Sequence, residues 1–148
     1  MDEPLPVTDP LALESQICFA LSVASRGVIA AYRPVLEPLK LTHPQYLVML
    51  ALWQHAPLSL KDLAGLLHME PATLSPLTKR LEALGYVQRA KNPDDGRGLA
   101  LSLTEEGRAL RQQAEQVPVE MMQRLQMDED ELKDLHRLMT TLMERVHP

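Results

Sequence analysis

The sequence predicts a mainly α fold with a small β-hairpin wing, a winged helix-turn-helix carrying N- and C-terminal dimerisation helices. Three observations lead there. Two short helical patterns follow one another between Ser59 and Leu84, separated only by a turn. Two strand-like runs then flank a loop carrying Asp95-Gly96-Arg97. Longer apolar helical patterns occupy both ends of the chain. Helix, turn, helix and basic hairpin is an order that reads double-stranded DNA.

The 148 residues suit one domain, and the 45% apolar and 24% charged fractions place it among ordinary globular proteins rather than disordered chains. Residues 1–10 hold Pro4, Pro6 and Pro10 and read as a loose extension; residues 11–148 read as a single domain. Within it the winged helix-turn-helix spans about 42–104, and dimerisation helices span about 11–32 and 105–147. The lone cysteine, Cys18, has no partner for an intramolecular disulfide, and no secretory leader pattern opens the chain, so a cytoplasmic location is expected. The least polar window, residues 15–32, includes Gln16, Arg26 and several serines; it predicts a deeply buried helix, and no membrane partner is expected.

The first helix, from about Leu11 to Tyr32, repeats Leu13, Ile17, Leu21, Ala24 and Val28 at helical spacing, with Cys18, Phe19, Ala20 and Val23 widening the apolar face. Such a helix has to be covered by other helices or by a second subunit. Pro34 and Pro38 are expected to break it. Thr42-His43-Pro44-Gln45 reads as a capping box opening a helix with Tyr46, Leu47, Leu50, Ala51 and Trp53. Ser59-Leu60-Lys61-Asp62 repeats the signal for a short helix through Leu67, in which Gly65 costs up to about 1 kcal/mol relative to Ala and implies close packing. His68-Met69-Glu70 is a turn, and Pro71 suits the first position of the next helix, which Gly85 ends.

That helix has an apolar stripe of Leu74, Leu77, Leu81 and Leu84; Ala72, Ser75, Pro76, Lys79 and Ala83 fall opposite, with Thr73, Thr78 and Arg80 at the margins. Small, hydroxylated and basic side chains are what a helix needs to enter the major groove and to bond bases or phosphates. Val87–Ala90 and Leu99–Leu103 pair as strands around the turn residues Asn92-Pro93-Asp94-Asp95-Gly96. An arginine at such a tip, here Arg97, can reach a neighbouring minor groove. Thr104-Glu105-Glu106 opens the last helical region, Pro118 interrupts it, and Asp128 to Glu131 begins a final helix.

Charge supports the same orientation. The chain carries −5, yet Lys79, Arg80, Arg89, Lys91 and Arg97 face only Glu82, Asp94 and Asp95 between positions 79 and 97, a local excess of +2. The five histidines lack metal-ligand spacing with one another or with Cys18, and no glycine-rich phosphate loop or nucleophile elbow occurs, so neither metal nor cofactor is expected, nor an enzyme.

Several stretches carry a resemblance: 16–21 (Gln-Ile-Cys-Phe-Ala-Leu), 32–39 (Tyr-Arg-Pro-Val-Leu-Glu-Pro-Leu), 44–47, 73–82 and 102–105. In order and spacing the chain resembles MarR-family repressors, specifically the one-cysteine type of the organic-hydroperoxide-resistance branch. The resemblance implies a homodimer on a pseudo-palindromic operator, with Pro71, Thr73, Ser75, Lys79 and Arg80 at the major groove and Lys91, Asp95 and Arg97 on the wing. It implies that organic hydroperoxide oxidises Cys18, that a mixed disulfide with a small cellular thiol follows, and that the repressor leaves its DNA. Tyr32 matches a tyrosine that the family places near the reactive cysteine, whereas Ser22 and His43 stand at two other tyrosine positions. A phenol donates a hydrogen bond to a thiolate; His43 can donate one or, when charged, favour the thiolate. Two other triggers or activities stay open: release by a small aromatic ligand bound between the DNA-binding and dimerisation helices, and a thiol peroxidase using Cys18 as nucleophile.

Overall fold

A computed structural model describes residues 9–91 and 98–147. A single 3-10 turn, Leu13–Ser15, precedes α1 (Ile17–Leu36); a second, Glu37–Leu39, leads to α2 (His43–His55). A two-residue strand β1 (Leu58–Ser59) is followed by α3 (Leu60–Leu67), α4 (Pro71–Ala83), β2 (Val87–Lys91) and β3 (Leu99–Leu103). Three helices close the chain: α5 (Glu105–Ala114), α6 (Gln116–Leu125) and α7 (Glu129–Val146).

The capping boxes act as their residue types dictate. Thr42 Oγ1 accepts from the Gln45 backbone N–H while Gln45 Oε1 accepts from the Thr42 N–H, and Asp128 with Glu131 does the same for α7. Ser59 caps α3 by accepting from the Asp62 N–H, but the box expected there stays half-formed, the short Asp62 side chain not reaching back to the Ser59 N–H. His68 ends α3 in the left-handed conformation, and Gly85, at φ +86°, takes the chain out of α4 into β2. The sheet is antiparallel in the order β1-β3-β2, with Val87 opposite Leu103 and Lys91 opposite Leu99. Its inner face meets α2, α3 and α4 through Val48, Met49, Leu52, Leu63, Leu74 and Leu81, all at most 1% exposed. Helix α2 is the central pillar of this core.

Several expectations need correction. The first helix is shifted: the segment before Ile17 is a 3-10 turn, and Pro34 lies inside α1 rather than ending it. Proline there forgoes one hydrogen bond near the helix end, where Val35 and Leu36 are fully buried and hold the last turn in place. The expected deep burial of this helix does not occur within the chain, since Val35 and Leu36 are its only buried residues and Ile17 is 71% exposed. The C-terminal break falls at Glu115, with Pro118 inside α6, because a proline cannot donate to the carbonyl four residues before it, here that of Ala114. Gly65 is not closely packed either: a Cβ placed there meets nothing within 4 Å. Strand β1, which pairs Leu58 with Leu101, is too short to show a period in the sequence.

Candidate nucleic-acid interface and cysteine site

Helix α4 projects from the sheet with Leu74, Thr78 and Leu81 buried and Leu77 half-buried. Its exposed surface comprises Pro71, Ala72, Thr73, Pro76, Lys79, Arg80 and Ala83, while Ser75 is half-buried. The face is therefore turned towards Thr73 and Arg80 relative to the sequence expectation, and Thr78 is not a margin residue at all. Its hydroxyl is 0% exposed, donates to the Ser75 carbonyl at 2.9 Å and accepts from Arg89 Nη2 at 3.2 Å. Arg89 Nε also pairs with Glu82. A bond donated by a wing arginine to a buried threonine was invisible in sequence, because it joins positions from separate elements.

Lys91 is exposed at the outer end of β2. The expected wing contacts Asp95 and Arg97 lie outside the described residues. Lys79, Arg80 and Lys91 are thus the exposed basic residues of α4 and β2 that carry no acidic partner in the described residues, while Arg89 is neutralised by Glu82.

Cys18 is a free, exposed thiol in the first turn of α1. Spacings of four and three residues put Cys18, Ser22, Ser25, Ile29 and Tyr32 on one stripe of that helix. Cys18 and Ser22 are one turn apart. Tyr32 is fourteen residues from Cys18, about 21 Å along the axis at 1.5 Å per residue, so a single chain does not bring Cys18 to Tyr32 or His43. Those two belong to another cluster: the rings of Tyr32 and His43 lie 5.1 Å apart and those of Tyr32 and Tyr46 5.8 Å apart. Burial lowers the His43 pKa below the ordinary imidazole value and raises that of Tyr32. It also raises that of Tyr46, with a smaller push from Tyr32. His43 is accordingly neutral at pH 7. A cleft of about 530 Å³ lined by Ile29, Arg33, Thr42, His43 and Pro44 opens beside this cluster.

The apolar faces of α1 and α7 are uncovered. Phe19, Val23 and Ile29 on α1 and Leu135, Leu138, Met143 and Val146 on α7 are all exposed, and α7 has no buried residue. Its C-cap approaches the reading head, where the His147 ring lies 4.7 Å from that of His68.

A sequence profile of the MarR family matches residues 41–99. The organic hydroperoxide resistance transcriptional regulator of Bacillus subtilis (strain 168) is 36% identical over 139 residues, covering 94% of this chain and 95% of that protein. This chain belongs to the MarR family. Among solved structures, this MarR-family regulator resembles reduced AbfR bound to DNA, with a TM-score of 0.73, 28% identity and coverage of 92% and 95% of the two chains. It also resembles CouR from Rhodococcus jostii RHA1 bound to p-coumaroyl-CoA, with a TM-score of 0.79, 26% identity and coverage of 93% and 96%. The winged helix-turn-helix is that of the family, and the chain is a DNA-binding transcriptional regulator rather than a peroxidase. No helix among the described residues is long and apolar enough to cross a membrane.

Proposed function

We propose that this protein is a homodimeric repressor that leaves a pseudo-palindromic operator when an organic hydroperoxide oxidises Cys18. The observation that carries the reading is the stripe on α1, with an exposed Cys18 at one end and a half-buried Tyr32 beside His43 at the other. Two copies of α1 packed antiparallel and crossing near Ser25 bring Cys18 of each chain level with Tyr32 of the other. Ala24, Ser25 and Gly27 at the crossing are small enough for close approach, and the exposed Val23 and Ile29 gain cover. The organic hydroperoxide resistance regulator of B. subtilis and reduced AbfR on DNA are the relatives that favour this trigger.

The chemistry balances with two reagents. The Cys18 thiolate attacks the terminal oxygen of the hydroperoxide, an S–O bond forms, the O–O bond breaks, and the alkoxide leaves as alcohol after taking a proton. A small cellular thiol then displaces water from the sulfenic acid, giving a mixed disulfide. The adduct, lodged between two packed helices, separates them. In the DNA-bound state the two α4 helices enter major grooves about 34–36 Å apart, with Thr73, Lys79 and Arg80 at the DNA, Pro71 and Ser75 flanking them, and Lys91, Asp95 and Arg97 supplied by the wing.

The test is a gel shift on the DNA upstream of the protein's own gene with and without cumene hydroperoxide, on wild type and Cys18→Ser. Binding by both and release of the wild type alone are expected; equal release of the variant refutes the trigger.

A second reading keeps the DNA-binding role and replaces the trigger by a small aromatic acid. Two adjoining clefts between α2 and α5 share Trp53, Gln54 and Arg111, pairing an aromatic wall with a cation, and CouR was solved with p-coumaroyl-CoA. Release by such an acid from Cys18→Ser under reducing conditions distinguishes the two.

A further inference from the structure

Thr78 and Glu82 are one turn apart on α4, and both are held by the same guanidinium. Arg89 stands in the middle of β2, opposite Leu101. Its Nη2 donates to Thr78 Oγ1 at 3.2 Å, and its Nε pairs with Glu82. Thr78 is 0% exposed, so its hydroxyl oxygen has no recourse to water; its proton goes to the Ser75 carbonyl and its lone pair receives Arg89. Leu74 and Leu81 hold α4 against the core, and a single polar attachment would leave its roll about that packing weakly fixed. Two attachments through a rigid planar fork do not.

We propose that Arg89 is a positioning residue for DNA recognition: it sets the roll of α4 on the sheet and thereby aims Thr73, Lys79 and Arg80, without itself binding phosphate. The proposal rests on the reading that α4 faces DNA. The geometry makes the roll matter. Side-chain tips lie about 5–6 Å from a helix axis, so a roll of about 20° moves them by about 2 Å, enough to break a base-edge hydrogen bond. Phosphate contacts through long, flexible lysines absorb such a shift far better. Loss of Arg89 therefore costs discrimination rather than general affinity for duplex. Glu82 neutralises the guanidinium where it lies, which is the reason Arg89 contributes orientation and not counterion release.

The experiment compares wild type, Arg89→Ala, Arg89→Lys, Glu82→Gln, the Arg89→Ala/Glu82→Gln pair and Arg80→Ala. Each is titrated with the duplex upstream of the protein's own gene and with an unrelated duplex of equal length, across a salt series. Circular dichroism confirms folding at the titration temperature. Arg89→Ala is expected to lose about tenfold on the upstream duplex and less than about twofold on the unrelated one. Its slope of log K against log salt stays at the wild-type value, whereas Arg80→Ala flattens the slope by about 0.9. The double variant matches Arg89→Ala, and Arg89→Lys, which keeps charge but holds only one of the two partners, is intermediate. A flattened slope in Arg89→Ala overturns the proposal, since Arg89 then touches phosphate. So does a lowered melting temperature with unchanged discrimination, the signature of a purely stabilising residue. If Arg89→Ala does not fold, Arg89→Lys and Glu82→Gln carry the same test. If Arg80→Ala binds both duplexes as wild type does, α4 does not face DNA and the proposal falls with the reading beneath it; if Arg80→Ala weakens binding and the Arg89 variants do not, the proposal falls alone.

Discussion

Replacing Gly107 by Ala strikes the joint between the reading head and the helices that follow it. A Cβ on Gly107 falls 2.0 Å from the Tyr86 carbonyl oxygen, where ordinary contacts begin at 3.4 Å, so α5 has to retreat by about 1.4 Å. Three hydrogen bonds meet at this point. The Tyr86 carbonyl accepts from the Thr104 N–H at 3.1 Å, Thr104 Oγ1 accepts from the Gly107 N–H at 3.0 Å, and the Gly107 carbonyl accepts from Trp53 Nε1 at 2.9 Å. Overpacking costs about 1–3 kcal/mol, and each bond lost adds about 0.5–1.5 kcal/mol. The better helix propensity of Ala returns about 1 kcal/mol. The net loss of about 2–4 kcal/mol lowers the melting temperature by about 5–15 °C for a domain of this size. Thermal unfolding at fixed protein concentration measures it. Trp53 is the only tryptophan, so its emission reports the same joint directly and shifts to the red as its N–H loses the Gly107 carbonyl. A melting temperature within about 2 °C of wild type, with unchanged emission, refutes the reasoning.

Four further outcomes are expected. Gly65→Ala stabilises by up to about 1 kcal/mol, because its Cβ enters open space on a helix; an unchanged or lowered melting temperature contradicts this. Mixing Cys18→Ser with Tyr32→Phe subunits restores one complete site per heterodimer, so peroxide sensitivity returns in the mixture if the site is shared between chains; an intrachain site gives no complementation. The His43 pKa is depressed on folding, so the unfolded chain binds more protons and stability falls as pH drops below about 6.5. Melting curves between pH 7.5 and 5 are therefore shallower in His43→Gln than in wild type, and identical slopes argue against it. Arg97→Ala weakens binding to the upstream duplex and flattens its salt dependence; no change in either removes the wing from the interface.

Local chemistry made much of this fold legible. The Thr42 capping box, the Asp128–Glu131 start of α7, Pro71 at the head of α4 and Gly85 at its end are signals contained within four residues, and each operates as its side chain or backbone requires. What lay beyond reach was contact between distant elements. Thr78 looks polar and marginal until Arg89 is placed beside it, and β1 exists only because Leu101 offers it a partner. Pro34 reads as a break because tertiary packing, which overrides propensity, leaves no local trace, whereas Pro118 does interrupt the helical region, three residues before itself. Cys18 and Tyr32 show the same limit in another form: both residue types were legible, but they share a helix at a spacing that keeps them apart within one chain.

The uncovered helices lie at the two ends of the chain: α1 is made first and α7 last. A nascent polypeptide therefore completes its reading head, from α2 to β3, while Phe19, Val23 and Ile29 still await cover and Leu135, Leu138 and Met143 have yet to emerge from the ribosome. For as long as they stay uncovered, those side chains are an apolar surface open to whatever the chain meets first.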